Sequence, residues 1–241
     1  MKSLWAIGLM IILSPTVIAK ELLIGVEQFD YSPISAVKND HYVGYSRDLL
    51  DAFAKQYNHT LMFKYFSVKS LFGAFKSAKV DFKFPDNPNW AMDFKKGLDI
   101  TYSAAALTSI DGVMVLPNKR GKFQLKRLGT IMGFTRSAFT EQINKGTITR
   151  HEHENIAGLI KLIKEDLIDG IYSNIFVTRH FLKGSKYAAN FVVFDNTLDY
   201  QETDFSLSSI SKPEVILQFN EFLKDNRAWV KKLKIQHGLM P

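Results

Sequence analysis

The chain has 241 residues, 46% of them hydrophobic, with 31 Lys and Arg against 24 Asp and Glu and no cysteine. The missing thiols exclude disulfides, a thiol nucleophile, Cys-ligated metals and a lipid-modified Cys behind a leader. The formal charge of +7 comes without a block of like charges: Lys126-Arg127 and Lys231-Lys232 are short runs on solvated faces, which attract anions weakly and give no ground for nucleic-acid binding.

Met1-Lys2, the apolar run Leu4 to Leu13, the break at Ser14-Pro15 and Val17-Ile18-Ala19 follow one another in the order of a secretory signal peptide cut after Ala19. The apolar run is too short for a membrane anchor, because a spanning helix needs about 20 residues. The mature chain would hold 222 residues, exported and unanchored. A periplasm is its natural compartment, and composition alone does not separate that from full secretion. The length suits one domain or two lobes.

Leu22 to Val26 is a continuous apolar run, as in a parallel strand buried on both faces. Ser46 to Asn58 reads as a helix with Leu49, Phe53 and Tyr57 recurring every four residues, Ser46 as its cap and Asn58 at its exit. Leu61, Phe63 and Tyr65 alternate as a half-buried strand, and Val68 to Ala78 is again helical. Val80 to Phe84 is the next strand, ended by an unusual corner, Phe84-Pro-Asp-Asn-Pro-Asn-Trp90. Its prolines fix φ and remove donors, while Asn87 and Pro88 suit the N-cap and first position of a helix. Strands follow at Val113 to Leu116 and Ile131 to Phe134. His153 to Leu167 is a helix with Ile156, Leu159, Ile160, Ile163 and Leu167 in one stripe. Gly170 to Tyr172 is a short strand, and Asn174 caps a helix through Leu182. Phe191 to Phe194 and Phe205 to Ile210 are strands. Ser211-Lys-Pro-Glu214 is a capping box for a helix burying Ile216, Phe219 and Leu223, and a last helix carries Trp229 and Leu233. This alternation predicts an α/β fold with mainly parallel sheets.

Gly-rich phosphate loops, GxSxG, HExxH and EF-hand patterns are absent from the sequence. His151-Glu-His153-Glu154 is the only metal-like cluster, and an exposed polar lead into the following helix explains it better than a metal does. No cofactor is expected, and no residue pattern indicates catalysis by itself.

Several pieces in order resemble the periplasmic solute-binding proteins of polar amino-acid ABC transporters, family 3, with the type II periplasmic-binding fold. They are Leu22–Val26 followed by Tyr31-Ser-Pro-Ile34; Gly44-Tyr-Ser-Arg-Asp48-Leu; Lys79-Val-Asp81; Ile100-Thr-Tyr102-Ser103; Leu128-Gly129 through Met132-Gly133-Phe134; Leu167-Ile-Asp169-Gly170; and Phe219-Asn220-Glu-Phe-Leu223. The resemblance implies an α/β two-lobed clamshell. Lobe 1 would hold 20–112 and 209–241, and lobe 2 would hold 118–203. Hinge strands would lie at 113–117 and 204–208. A monomer would close on a small polar solute and present it to the permease of an ABC transporter.

The same resemblance places the solute against Phe29, Tyr31 and, less directly, Tyr45, against the corner residues Asp86, Asn87 and Trp90, and beside Ser103. Where such proteins carry an Arg for the ligand's α-carboxylate, this chain has Lys96, a point charge that cannot make the bidentate fork. Where they carry an Asp for the α-ammonium, it has Asn174. Where a Gly opens the second-lobe helix it has Ser137, preceded by Arg136, which can replace the lost fork. These departures leave an amino-acid-like solute and an organic anion both open. The other readings are a sensory binding protein presenting its ligand to a membrane receptor kinase and a dehydratase-type enzyme on the same fold, for which Asp86 is the obvious acid.

Overall fold

The computed structural model describes residues 20–132 and 138–240. The expected signal peptide, Arg136 and Ser137 lie outside the described residues. The first part of the chain runs β1 (Lys20–Glu27), a small hairpin of β2 (Ala36–Lys38) and β3 (His41–Val43), α1 (Tyr45–Tyr57), β4 (His59–Phe66), α2 (Val68–Lys76) and β5 (Phe82–Asp86). β1 lies between β4 and β5, parallel to both, and its Leu22, Ile24 and Val26 are buried.

The helix α1 forms because Leu49, Leu50, Phe53 and Ala54 make one buried face. Phe53 meets Phe219 edge-on at 5.1 Å and Phe222 at 5.8 Å, a packing whose loss in Phe53→Ala costs about 3–5 kcal/mol. Asn58 ends the helix in the left-handed conformation, as the sequence predicts. The start differs from expectation. Ser46 is buried and does not cap. The backbone N–H groups of Tyr45 and Ser46 donate to the carbonyls of Pro33 and Ile34 at 3.1 and 2.9 Å. Gly44 permits this approach: its φ is +103°, and a Cβ there would sit 2.9 Å from the Pro33 carbonyl oxygen.

After β5 come α3 (Met92–Lys95), β6 (Thr101–Tyr102), β7 (Leu107–Val115), a 3-10 turn at Pro117–Lys119, β8 (Arg127–Ile131), α4 (Thr140–Asn144), β9 (Thr149–His153), α5 (Ile156–Lys164), β10 (Gly170–Asn174), α6 (Ile175–Lys183), β11 (Val193–Phe194), β12 (Gln201–Ser209), α7 (Pro213–Asp225) and α8 (Arg227–Gln236). Ten strands form one curled sheet, with the path β4-β1-β5-β12-β7-β10-β8-β9. Its two halves are joined through β12, which pairs antiparallel with β5 along one edge and with β6 and then β7 along the other. The chain crosses between halves along Leu107–Asp111 and Gln201–Phe205, which bond to each other.

Four expectations shift. The strand predicted over Ile131 to Phe134 is β8, which runs earlier and lies parallel to β9 and β10. Thr149–His153 is a strand at the end of the sheet path, not a lead into the helix, which starts at Ile156 with Asn155 as its cap. Lys212 is the N-cap of α7 without a side-chain bond; Ser209 Oγ takes the N–H groups of Ser211 and Lys212 instead. The helix expected to open at Asn87-Pro88 opens at Met92.

Candidate functional site

Parallel strands of an α/β sheet leave a crevice beyond their C-terminal ends. The ends of β1 and β5 do so here. A cavity of about 700 Å³ is lined by Glu27 at the end of β1, Phe29, Tyr31 and Ser35 in the loop beyond it, and Val68 and Phe72 of α2. Pro85, Asn87, Asn89, Trp90 and Ala91 of the Pro-rich corner line it too, and the crossing strands close it with Asp111, Gln201, Glu202, Thr203 and Phe205. The Pro-rich corner therefore does two jobs: it ends β5 and it forms a wall.

The rings make an apolar rim. Phe29 is 49% exposed and tilts against Tyr31 at 5.9 Å. Trp90 is half-buried and meets Phe205 edge-on at 5.4 Å. The charged groups on the wall, among the described residues, are all carboxylates: Glu27, Asp111 and Glu202. Burial pushes the Asp111 carboxyl up, against hydrogen bonds from Asn174 and Tyr31 that pull it down. Burial also raises Glu27, although Lys83 Nζ lies 4.0 Å away. Asp111 has no cationic partner among the described residues, whereas Glu27 keeps Lys83 beside it. Burial and the Asp111 charge push the Tyr31 phenol well above its ordinary value, so it stays a donor.

Behind this wall the sequence hides an ion cluster. Lys83, in the middle of β5, is fully buried. Its ammonium donates to the Pro85 carbonyl at 2.6 Å and lies 3.3 Å from Asp86. The rings of Phe72 and Trp90 flank it, with centroids 4.7 and 5.2 Å away. Lys95 Nζ donates to Asp86 Oδ1 at 2.9 Å and to the Asn87 carbonyl at 2.6 Å. Ser208 Oγ donates to the other Asp86 oxygen at 2.7 Å. Burial lowers the Lys83 ammonium, and Asp86 and Glu27 work against that shift.

This geometry corrects several sequence expectations. Asp86 does not face a solute: it is fully buried, and its oxygens are taken up by Lys95, Ser208 and the Asn87 N–H. Lys96 is exposed at the end of α3, while its neighbour Lys95 turns inward. Ser103 is buried, accepts from the Leu207 N–H at 2.9 Å and does not line the cavity. Tyr45 is a core residue, its hydroxyl donating to the Ala106 carbonyl at 2.6 Å. Asn174 caps α6, accepting from Phe176 and Val177 N–H. Its amide also donates to Ser109 Oγ at 2.6 Å and Asp111 Oδ1 at 3.2 Å, so it orients Asp111 from behind the wall. Asn87 lines the cavity but starts no helix. Its amide donates to the Asp204 carbonyl and its oxygen accepts from the Asn89 N–H, which pins the corner to a crossing strand. Phe29, Tyr31 and Trp90 stand on the wall.

Sequence reasoning missed Glu27, Asp111 and Glu202. Glu27 ends an apolar strand, and Asp111 is a lone carboxylate between Ile110 and the apolar residues after Gly112. Both patterns are signals, since an acid in such a run needs a partner. Among the described residues, no group of three metal-ligating side chains forms, His151 and His153 included, and no helix is long and apolar enough to cross a membrane.

No family model and no curated protein matches the chain. Solved structures do. The second substrate-binding domain assigned to an amino acid ABC transporter of Streptococcus pneumoniae superposes with a TM-score of 0.69 at 14% identity, covering 91% of this chain and 100% of that one. An ancestral cationic amino acid solute-binding protein gives 0.68 at 20% identity, covering 90% and 95%. A histidine kinase sensor domain with similarity to periplasmic binding proteins gives 0.63 at 14% identity, covering 91% and 96%. The chain has the type II periplasmic-binding-protein fold. In this fold the cavity beyond β1 and β5 opens at the crossing strands, where one half of the sheet faces the other.

Proposed function

We propose that the chain is an extracytoplasmic solute-binding protein. Two lobes, 20–112 with 209–241 and 118–203, close about the crossing strands on a small polar solute, and the monomer delivers it to the permease of an ABC transporter. The solute is amino-acid-like and carries a positive charge. One observation carries this reading: the charged groups on the described cavity wall are carboxylates, and Asp111 among them has no cationic partner among the described residues. A cation supplies the missing charge, and the rings of Phe29, Tyr31, Trp90 and Phe205 offer π-faces to it. An organic anion, open from the sequence, would meet like charge and lose binding energy on entering. The ancestral cationic amino acid binder of the same fold is in keeping with this preference.

Ligand closing two lobes works by population shift: contacts made to both lobes exist only in the shut state. A thermal-shift screen of arginine, lysine, ornithine, polyamines and betaines against neutral and acidic amino acids and dicarboxylates tests the reading. A bound solute at 100-fold over its dissociation constant adds about 2.7 kcal/mol of apparent stability. Cations are expected to raise the melting temperature. A response to dicarboxylates alone would refute the proposal.

The enzyme reading retains one supporting observation, because two carboxyls with raised pKa in a cleft suit a general acid. Its original candidate, Asp86, is locked between two lysines. Turnover of any bound solute, followed by mass spectrometry, separates capture from catalysis. The sensor reading shares the fold of the kinase domain, and pull-down of the ligand-loaded protein against permease and kinase ectodomains distinguishes the two partners.

A further inference from the structure

A second cavity of about 610 Å³ shares no lining residue with the first and has the opposite character. One face of α6 lines it through Phe176, Arg179, His180 and Lys183, which fall at helical spacing on the same side. Arg120 from the turn after β7, with Asn190 and Asn196, forms a second wall, and Pro33 with the His237–Met240 segment forms the third. Five basic side chains therefore converge on one concavity, and no acidic residue lines it among the described residues.

Their existing partners are few. His237 is held by Asp48 at 2.8 Å. Arg120 donates to Asn196 Oδ1 at 2.9 Å. Arg179 makes a single long bond, 3.4 Å, to the Met240 carbonyl. Burial, with the neighbouring Lys38 and Lys183, lowers the His180 imidazole against a weaker pull from Asp30, so it serves the cluster chiefly as a neutral hydrogen-bonding ring near neutral pH. Neither Arg179 nor Lys183 has a carboxylate partner among the described ion pairs. Partial burial lowers the pKa of half-buried Arg179. Elsewhere in the chain the buried cations are treated differently: Lys83 and Lys95 both sit on Asp86. The α6 cluster differs in being partly solvated, and it lines a concavity with basic groups and no acid among the described residues.

The geometry points to a second binding site, formed by Arg179, Lys183, His180 and Arg120, for a small anion bearing two or more negative charges. Phosphate and carboxylate groups share the required chemistry: both accept paired donors from a guanidinium and gain from the adjacent lysine. Asn190 and Asn196 add neutral hydrogen-bonding groups at the edge. The site draws its walls from both parts of the chain. The α6 face and the 189–196 segment belong to the second half, while Pro33 and His237–Met240 belong to the first. An anion there touches both halves from outside the solute cavity. The inference does not depend on the proposed solute.

Isothermal titration calorimetry on the mature full-length protein at low salt, with inorganic pyrophosphate and citrate as probes, tests it. Saturable one-to-one binding of at least one probe is expected, and the pair of probes tells phosphate from carboxylate preference. Arg179→Gln with Lys183→Gln should weaken it at least tenfold. A control pair on α8, Lys231→Gln with Lys232→Gln, should leave it within twofold. Arg179 is half-buried and Lys183 exposed, so the pair should fold, and circular dichroism verifies this. An independent readout is ¹⁵N-labelled amide shifts on adding probe to the unaltered protein, expected around α6 and 189–196. Absence of saturable binding of either probe, equal loss in both variant pairs, or shifts spread evenly over basic surfaces would overturn the inference.

Discussion

Asp111→Asn separates the requirement for the solute from the requirement of the fold. Asp111 lies on a crossing strand, faces the solute cavity, and receives hydrogen bonds from Asn174 at 3.2 Å and from Tyr31. No cation pairs with it among the described residues. Asparagine keeps the shape and the accepting oxygen but removes the charge. A charged hydrogen-bonded contact to a bound cation is worth about 1.5–3 kcal/mol, so affinity should fall by roughly 10- to 150-fold on the conversion of 1.4 kcal/mol per factor of ten. Unliganded stability should move the other way. The folded-state pKa of Asp111 is raised above the ordinary value of 3.8. Its contribution to stability is therefore fully present below the unfolded pKa and is lost as pH rises through the folded one. At neutral pH the ionised group is a net cost, and the neutral asparagine should raise unliganded stability. Calorimetric titration with the best cation from the screen, and urea melts of both proteins at pH 4 and 7.5, give the two numbers. In the unaltered protein, cation affinity should itself weaken as pH falls toward 4 and the wall carboxyls take up protons. Unchanged affinity in the Asn variant, or a less stable apo protein at pH 7.5, would refute the charge argument.

Asp86→Asn should cost about 3–5 kcal/mol, because Lys83 and Lys95 would be left buried around a neutral group; urea denaturation measures it, and a loss under 1 kcal/mol contradicts the pinning role. Lys95→Met should destabilise by about 3 kcal/mol by uncovering Asp86, whereas Lys96→Met should stay within about 0.5 kcal/mol and leave solute affinity unchanged. A solute-affinity loss confined to Lys96→Met would restore that residue to the site. With Trp5 and Trp229 both replaced by Phe, emission reports Trp90 alone; a bound solute should shift or quench it, and silence at calorimetric saturation would take Trp90 off the wall.

The order of strands and helices was legible because each signal is local. Leu22, Ile24 and Val26 are buried in a strand flanked by β4 and β5 and packed by α2, and the 3.6-residue stripes of α1 and α5 point into the core. The crossing strands were read too short for the same reason in reverse. Thr108, Ser109 and Asp111 interrupt the apolar pattern of β7, and they are polar because that stretch borders a cavity and a hydrogen-bond network rather than a dry core. A rule tuned to hydrophobic burial therefore ends the strand where the site begins.

The site itself was legible in place but not in charge. Position beyond β1 and β5 put Phe29, Tyr31 and Trp90 on the wall, since topology alone decides where strand ends lead. Choosing between two adjacent lysines is different. Counting from Tyr102 selects Lys96, yet the short turn of α3 rotates Lys95 inward, and nothing in a linear count carries helical phase across a segment with Ala91 in the left-handed conformation. Lys83 was the clue that resolves it. A lysine between Phe82 and Phe84 in a strand with no exposed residue must be buried, a buried ammonium must find a carboxylate, and the acid within reach is Asp86. Once Asp86 is committed to the core, it is not free for solute, and the lysine near it becomes part of the same cluster. The proposed cationic preference therefore rests on the carboxylates that remain on the wall, Glu27, Asp111 and Glu202, and not on Asp86.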